Sequence, residues 1–353
     1  MALLPMTIAI ASYQRRDPLL RLLHALDDQV AADPALGRDL GIVVVLDGST
    51  DGSREAVEGE TWRVPVTVRW QPNRGLAAAR NVGLDSAGDG LIWLLDDDLI
   101  PSDGLLRRHR DAHAPAGDAI VVGRCSIPDD IEVPAPLRRW WVDFHAQLQS
   151  SPTIDRFDLF TAANTSGPAR LFTRVGGFDE RFVGYGLEDY ELAHRLLAGG
   201  TTIRYDHDAV AWHPDVPPLS TLVHRQRSLG RNAATIALVH PELAEDLFPL
   251  REPSPPRRVI RALRLRSPRL LVALSRAALV LHHATGRLPG ETARRAEWLA
   301  RAAAHAAGVA EVDRSGVLLA RVIGYPARPR RALRRSARQP TTSPTSSQST
   351  ISR

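Results

Sequence analysis

The sequence predicts an α/β protein built on a Rossmann-like, mostly parallel sheet flanked by helices, and three observations carry that expectation. Over the first 125 residues, short β-rich runs alternate with segments of helical apolar spacing, as βαβ units require. Two of the runs, IVVVL at 42–46 and LIWLL at 91–95, are uninterrupted apolar stretches that suit strands covered on both faces. The polar segments DGSTDGS and DDDLIP follow those same two runs directly, where a parallel sheet gathers its ligand-binding loops.

Taken in order, the strands are expected at 7–11, 42–46, 66–70, 91–95 and 119–122, each bounded by polar or turn residues. Helices are expected between them at 18–29, 75–85 and 103–113; the first places Leu19, Leu22, Leu23 and Leu26 on one face. Residues 126–160, rich in proline and aromatics, read as an irregular, lid-like segment. A helix follows from 188 to 197, closed by Gly199 and Gly200, and then short strands at 202–205 and 209–212. The REPSPPRR run at 251–258 marks a boundary between a body at 1–250 and a helical extension at 251–325. Within the extension, Ser267 and Pro268 open one helix running to 283, and Pro289 opens another running to about 307, before Gly308. Residues 326–353 are Arg-rich and then Ser/Thr-rich, with too little apolar surface to offset the entropy of ordering, and are expected to be disordered.

Composition excludes several function classes. A chain of 353 residues, 44% hydrophobic and 24% charged, is an ordinary globular protein. No uncharged stretch reaches the roughly 18–20 apolar residues of a bilayer-crossing helix. The opening MALLPMTIAIASYQ lacks a basic leader and reads straight into a strand, so no signal peptide and a cytoplasmic location are expected. One cysteine, Cys125, permits neither an intrachain disulfide nor a cysteine-based zinc site. All 45 basic residues are Arg, which removes Schiff-base lysines and the P-loop lysine. The net charge of +5 hides a division: residues 251–353 carry 21 Arg against 5 acids, so the body is acidic.

Asp96, Asp97 and Asp98 follow five apolar residues at the end of an expected strand. Adjacent like charges in a partly dry site repel unless a cation compensates them, and oxygen-only ligands suit Mg²⁺ or Mn²⁺ shared with substrate phosphates. The same residues would otherwise form an acidic turn capping the next helix. Asp47 precedes Gly48 and Ser49, so its loop either approaches a planar ligand closely or is simply a good turn. In NRGLAAARN, Asn73 and Arg74 stand on a loop, and Arg80 either reaches diphosphate oxygens or lies on a solvated helix face. Glu188 and Asp189 open a helix just after GYGL, as a proton acceptor kept ionised by the helix dipole or as ordinary first-turn carboxylates. His213 is a further imidazole donor for a metal at the end of a short strand, or a structural histidine. Trp212 offers a face to stack on a sugar, or packs in the core.

The ordered set TIAIASYQRR, VVVLDGSTDGS, NRGLAAARN, LLDDDLIP and VGGFDERFVGYGLEDYELAHRL resembles the family 2 inverting glycosyltransferases of the GT-A fold, over roughly residues 6–215. The resemblance implies a GT-A catalytic domain over 1–250, with a nucleotide half at 1–125 and an acceptor half at 126–250. It implies a nucleotide site from Ala11, Ser12, Tyr13, Arg15, Asp47, Gly48, Asn73, Arg74, Arg80, Asp96 and Asp97. A divalent cation, Mn²⁺ or Mg²⁺, would sit on Asp96, Asp98 and His213. Asp189, beside Glu188, would be the catalytic base, with Asn164, Gly186 and Trp212 on the acceptor side. Ala11 and Gln14 stand where the family usually has Pro and Asn, and Leu46 where a second Asp is common.

The implied activity is metal-dependent transfer of a sugar, with inversion, from a UDP- or dTDP-sugar to a hydroxyl of a glycan, a lipid-linked or a small-molecule acceptor. Envelope polysaccharide, glycolipid or natural-product glycosylation would be the setting. Two rivals are a non-catalytic nucleotide or glycan binder and a sugar-phosphate nucleotidylyltransferase; the latter normally carries a Gly-rich basic loop near its start, and none precedes Asp47. The Arg-rich extension, which includes LLVALSRAALVL, either lies peripherally on an anionic membrane or packs on the body with Arg outward. Nucleic acid is not an expected partner, because the acidic body repels phosphate and no recognition module is visible.

Overall fold

The computed structural model describes residues 4–248 apart from 115–117, 132, 134, 152 and 216–218, five positions between 273 and 281, and residues 290–312. Side chains at 135–141, 219 and 290–299 fall outside that description. Among the described residues eight strands form one sheet: β1 (Met6–Ser12), β2 (Leu40–Asp47), β3 (Val66–Gln71), β4 (Leu91–Leu95), β5 (Ile100–Pro101), β6 (Ala119–Ser126), β7 (Asn164–Pro168) and β8 (Thr202–Trp212). The helices around it are α1 (Arg16–Ala32), α2 (Ser53–Glu58), α3 (Leu76–Asp85), α4 (Leu105–Ala112), α5 (Ala135–Gln149), α6 (Ala169–Thr173), α7 (Glu188–Ala198), α8 (Leu219–Val239), α9 (Ala244–Leu247) and α10 (Gly290–Val312).

The strand order is β3-β2-β1-β4-β7-β6-β8-β5. Strands β3, β2, β1 and β4 are mutually parallel, β7 runs antiparallel between β4 and β6, and β8 is parallel to β6. One reversed strand flanked by like-directed neighbours leaves the carboxyl ends of β1, β2, β4, β6 and β8 on a single rim. That rim receives the loops after Ser12, Asp47, Leu95 and Trp212.

Alternation along the strands covers both faces of the sheet. Met6, Ile8, Ile10, Ile42, Val44, Trp93 and Leu95 bury one face against α1, while Ala9, Ile92, Leu94, Ile120 and Val122 bury the other. Helix α3 packs tightly on that second face because Gly83 has no side chain: a Cβ there would stand 2.7 Å from the Cβ of Ala9. The close approach sinks Arg80, one turn earlier, into the interior, where it is 6% exposed.

The structure departs from the sequence expectations in six places. The strand expected at 119–122 continues to Ser126, and the two strands expected at 202–205 and 209–212 are one strand with a bulge opposite Gly123 and Arg124. The segment at 164–168, NTSGP, is a central strand despite its weak propensity, since pairing on both sides outweighs composition. The lid-like stretch at 126–160 contains helix α5; Pro136 sits in its first turn, where a missing N–H costs nothing. Helix α10 runs through Gly308 to Val312 instead of ending before it. Helix α8 occupies 219–239, where none was expected. Ala233, Ala234 and Ile236 of α8 share a buried cluster with Ala306, Ala307 and Val309 of α10, so this part of the extension packs on the body. Most of the helix expected at 267–283, and the whole tail at 326–353, lie outside the described residues.

Candidate functional site

The rim is organised by side-chain-to-backbone bonds. Asp47, at the end of β2, is buried, and its carboxylate accepts from Gln71 Nε2 (2.7 Å) and from the backbone N–H groups of Arg74 and Gly75 (both 2.8 Å). It therefore holds the 73–75 loop at the head of α3. Gly48, with φ of +84°, lets the two loops touch: a Cβ would lie 2.9 Å from Asn73 Cβ. After β1, Gln14 bonds to Ser49 and Thr50, which ties the Tyr13–Arg15 loop to the Asp47 loop. Ala11 is half-buried, Ser12 buried, and Tyr13 and Asn73 exposed on this side. Arg74 pairs with Glu180 at 2.6 Å.

The three aspartates after β4 have different surroundings. Asp96 pairs with Arg80 Nη2 at 2.7 Å, and its backbone N–H donates to Ala163. Asp97 is buried, and desolvation pushes its carboxyl up to about 7, opposed by the Ser12 hydroxyl and Arg15 and reinforced by Asp98 and Asp96. Asp98 lies 2.5 Å from Arg15 Nη1 and 3.4 Å from His213 Nε2. Burial alone would raise Asp98; His213 and Arg15 outweigh it and hold the carboxyl well below its ordinary range. His213 is raised in turn, because Asp98 and Asp96 outweigh its desolvation. His213 is placed by its own N–H, which donates to Ser126 O at 2.8 Å across the β6–β8 rim. Trp212 beside it is half-buried, paired with Ser126 and Ile100 in the strand register.

Opposite this cluster, the 184–187 loop turns through positive φ at Gly184 (+86°), Gly186 (+81°) and Leu187 (+75°) and delivers the head of α7. Gly186 is anchored through its carbonyl, which accepts from Asn232 Nδ2 at 2.7 Å. Glu188 is 4% exposed and bound by Arg80 Nη1 at 2.7 Å. Asp189 is half-buried; its Oδ1 accepts the Tyr190 N–H at 2.9 Å. Burial and then the charge of Glu188 push the Asp189 carboxyl up to about 7, against the pull of Arg80. Arg80 itself is raised, the attraction of Asp96 and Glu188 overcoming its burial.

Two sequence expectations need correction. Arg80 is not a free donor for diphosphate, since both ends of its guanidinium are occupied by carboxylates. Asn164 does not face an acceptor: it is 0% exposed, and its amide bonds to Trp93 Nε1, His109 Nε2 and Ala209 O inside the sheet. One residue near the site was not anticipated. Tyr185, between the two turn glycines, is 43% exposed and lies under the Arg225 guanidinium at 4.2 Å. The GYGL segment is the sequence signal for that loop, its glycines marking the turn in which Tyr185 sits.

The Asp96 and Asp98 carboxylates and the His213 imidazole, 3.4 Å from Asp98, are donor types that a divalent cation accepts, and each carboxylate is paired with an arginine here, Asp96 with Arg80 and Asp98 with Arg15. The Asp97 carboxyl between them is raised chiefly by its burial, with Asp98 and Asp96 adding to the effect.

The family model described as Glycosyl transferase family 2 matches residues 7–175, and that described as N-terminal domain of galactosyltransferase matches residues 145–213. Validoxylamine A glucosyltransferase of Streptomyces hygroscopicus subsp. limoneus is 31% identical over 273 residues, covering 69% of this chain and 58% of the relative. Pre-mycofactocin glycosyltransferase of Mycobacterium tuberculosis is 28% identical, covering 58% of this chain and 44% of the relative. The chain thus spans less than two thirds of the length of these curated relatives. A mannosyltransferase from Pyrobaculum calidifontis, solved in complex with GDP-Man and Mn²⁺, superposes with a TM-score of 0.54 at 20% identity, covering 88% of each chain. No helix among the described residues is long and apolar enough to cross a membrane. The chain belongs to the family 2 glycosyltransferases and has the GT-A fold.

Proposed function

We propose that this protein transfers a sugar from a nucleoside-diphosphate sugar to a hydroxyl acceptor with inversion at the anomeric carbon. The observation that carries it is the bridge that Arg80 makes between the acidic cluster after β4 and the head of α7, where the Asp189 carboxyl is raised to about 7 and accepts from no side-chain donor among the described residues. Glu188 is committed to Arg80, so of the two acids Asp189 is the one available to a proton.

In the proposed step the acceptor O–H gives its proton to the Asp189 carboxylate while the acceptor oxygen bonds to the anomeric carbon. The bond from that carbon to the diphosphate breaks, and its electron pair leaves with the nucleotide. A base titrating near the working pH combines availability with strength, and its help is worth typically about 10²–10⁴-fold. Asp96, Asp98 and His213 would hold a Mn²⁺ or Mg²⁺ ion, whose chemistry when bound is to offset charge on the departing diphosphate. Tyr13, Asp47, Gly48, Asn73 and Arg74 would line the nucleotide side, and Gly186, Tyr185 and Trp212 the acceptor side. The glycosyltransferase names of the relatives support the activity, and the GDP-Man and Mn²⁺ complex of the structural neighbour supports a nucleotide-sugar donor with a divalent ion.

A thermal-shift screen of the full chain with UDP-, dTDP- and GDP-sugars, each with Mn²⁺ or with EDTA, tests this. One donor class should raise the melting temperature with Mn²⁺, and EDTA should abolish the shift; a shift indifferent to EDTA rejects the cation site. Tight donor binding without transfer or hydrolysis would favour a non-catalytic binder.

A further inference from the structure

On the solvent side of α7, away from Asp189, the structure gathers a second group of metal-ligating side chains. His194 Nε2 lies 3.0 Å from Glu242 Oε1, and His240 Nδ1 lies 3.5 Å from the same oxygen. The three residues present one ligand atom each, all within 4.8 Å of one another. The imidazoles meet edge to face with centroids 4.7 Å apart, and His194 also packs edge-on against Phe157.

The group behind these residues is what distinguishes the cluster from a chance surface grouping. Glu191, 1% exposed, is gripped by the Arg195 guanidinium through both oxygens, at 2.7 and 2.6 Å. A carboxylate so held accepts, and its Oε1 takes the Nε2–H of His240 at 2.9 Å. In the neutral ring this bond sets the tautomer and leaves the Nδ1 lone pair of His240 aimed at Glu242. Two acceptors facing each other at 3.5 Å repel unless a cation, either a proton on the ring or a metal ion, lies between them. A buried carboxylate behind the far nitrogen is also the support that metal-bound histidines ordinarily have, orienting the ring and raising its basicity. The backbone is fixed as well: His240 N–H donates to Ile236 O at 2.7 Å, and His240 O accepts from Leu243 N at 3.0 Å.

We propose that His194, His240 and Glu242 bind a divalent transition-metal ion of the zinc class, with water completing a tetrahedral set. Two imidazoles and one carboxylate favour such an ion over Mg²⁺, which takes oxygen ligands, so the site is chemically distinct from the aspartate rim. Its effect is to clamp the 240–243 turn, and with it the end of α8, onto the helix whose first turn carries Asp189. A second group, Asp206, His207 and Asp208, has comparable atoms within reach. It offers a single imidazole, on an exposed side chain, in place of two, so it serves as an internal control.

The test is a Co²⁺ titration of the full-length protein in excess Mg²⁺, which occupies oxygen-rich sites, read by visible absorption and followed by Zn²⁺ displacement. One equivalent of Co²⁺ should give the intense bands of tetrahedral coordination. His194→Gln, His240→Gln and Glu242→Gln should each weaken binding at least 10-fold, and His207→Gln should leave it unchanged. Circular dichroism of the metal-free variants confirms folding, and since Glu242 is a surface side chain, its variant decides if a histidine variant fails to fold. The proposal is overturned if no tetrahedral spectrum appears, or if Glu242→Gln and a folded His240→Gln bind Co²⁺ as the parent does. Neither outcome bears on sugar transfer.

Discussion

Arg80 on α3 and Glu188 at the head of α7, 108 residues apart in sequence, meet at 2.7 Å in an ion pair buried from solvent. The other arm of the same guanidinium holds Asp96 on the rim, so one side chain joins the acidic cluster to the head of α7. In the proposed reaction Arg80 is a positioning residue, holding Asp189 at a set place relative to Asp96.

Removing Arg80 therefore leaves two carboxylates without their partner. Breaking a buried pair on one side typically costs about 3–5 kcal/mol, whereas replacing the pair with apolar groups costs far less. Arg80→Met should lower the urea midpoint correspondingly, and Arg80→Met with Glu188→Leu should recover most of the loss. Both variants should lose transfer activity, because Asp96 and Asp189 are no longer held in register.

His145 gives a pH signature that a single variant isolates. Its Nδ1 faces the Tyr205 hydroxyl at 3.1 Å and its Nε2 faces the Cys125 carbonyl at 2.5 Å; burial pushes its pKa down to about 4. Unfolded, histidine titrates near about 6.5, so between those values the unfolded chain binds the extra proton and stability falls as pH drops. Asp97 and Asp189, raised to about 7, act with the opposite sign, so the parent shows only the sum. His145→Gln should change the slope of unfolding free energy by about 1 kcal/mol per pH unit between pH 6 and 4.5, and by almost nothing above pH 7.5. Denaturant titrations across that range check it.

Helices α8 and α10 touch backbone to backbone at two glycines. A methyl group on Gly230 would run into the His305 carbonyl, and one on Gly308 into the Arg227 carbonyl. In an exposed helix, Gly→Ala is worth about 1 kcal/mol of added stability. Here the sign reverses, and overpacking should cost about 1–3 kcal/mol or more at each site. Gly230→Ala and Gly308→Ala should both lower the melting temperature, and each should increase protease cleavage between 250 and 312.

These contacts mark the boundary of what the sequence reveals. The strands at 42–46 and 91–95 were legible because burial on both faces leaves an uninterrupted apolar run, and Asp96–Asp98 because acids directly after such a run need compensation. Strand β7 was not, since NTSGP has no apolar alternation and is held by its neighbours on either side. Gly308 read as a helix end, because the reason for a mid-helix glycine lies on a helix about 80 positions earlier. The roles of Arg80 and Asn164 were misjudged for a related reason. Nothing within the local segment says that Glu188 comes to meet the guanidinium, or that Trp93, His109 and Ala209 close around the amide.

The central claim is a division of labour on one rim, with proton removal at Asp189 and donor binding across from it. Its most direct test measures transfer rate and donor affinity side by side for Asp189→Asn and for Asp98→Asn. Asp189→Asn should cut turnover by at least about 10²-fold while changing nucleotide-sugar affinity less than about threefold, and Asp98→Asn should weaken Mn²⁺-dependent donor binding itself. An Asp189→Asn protein that transfers sugar at the parent rate would contradict the account.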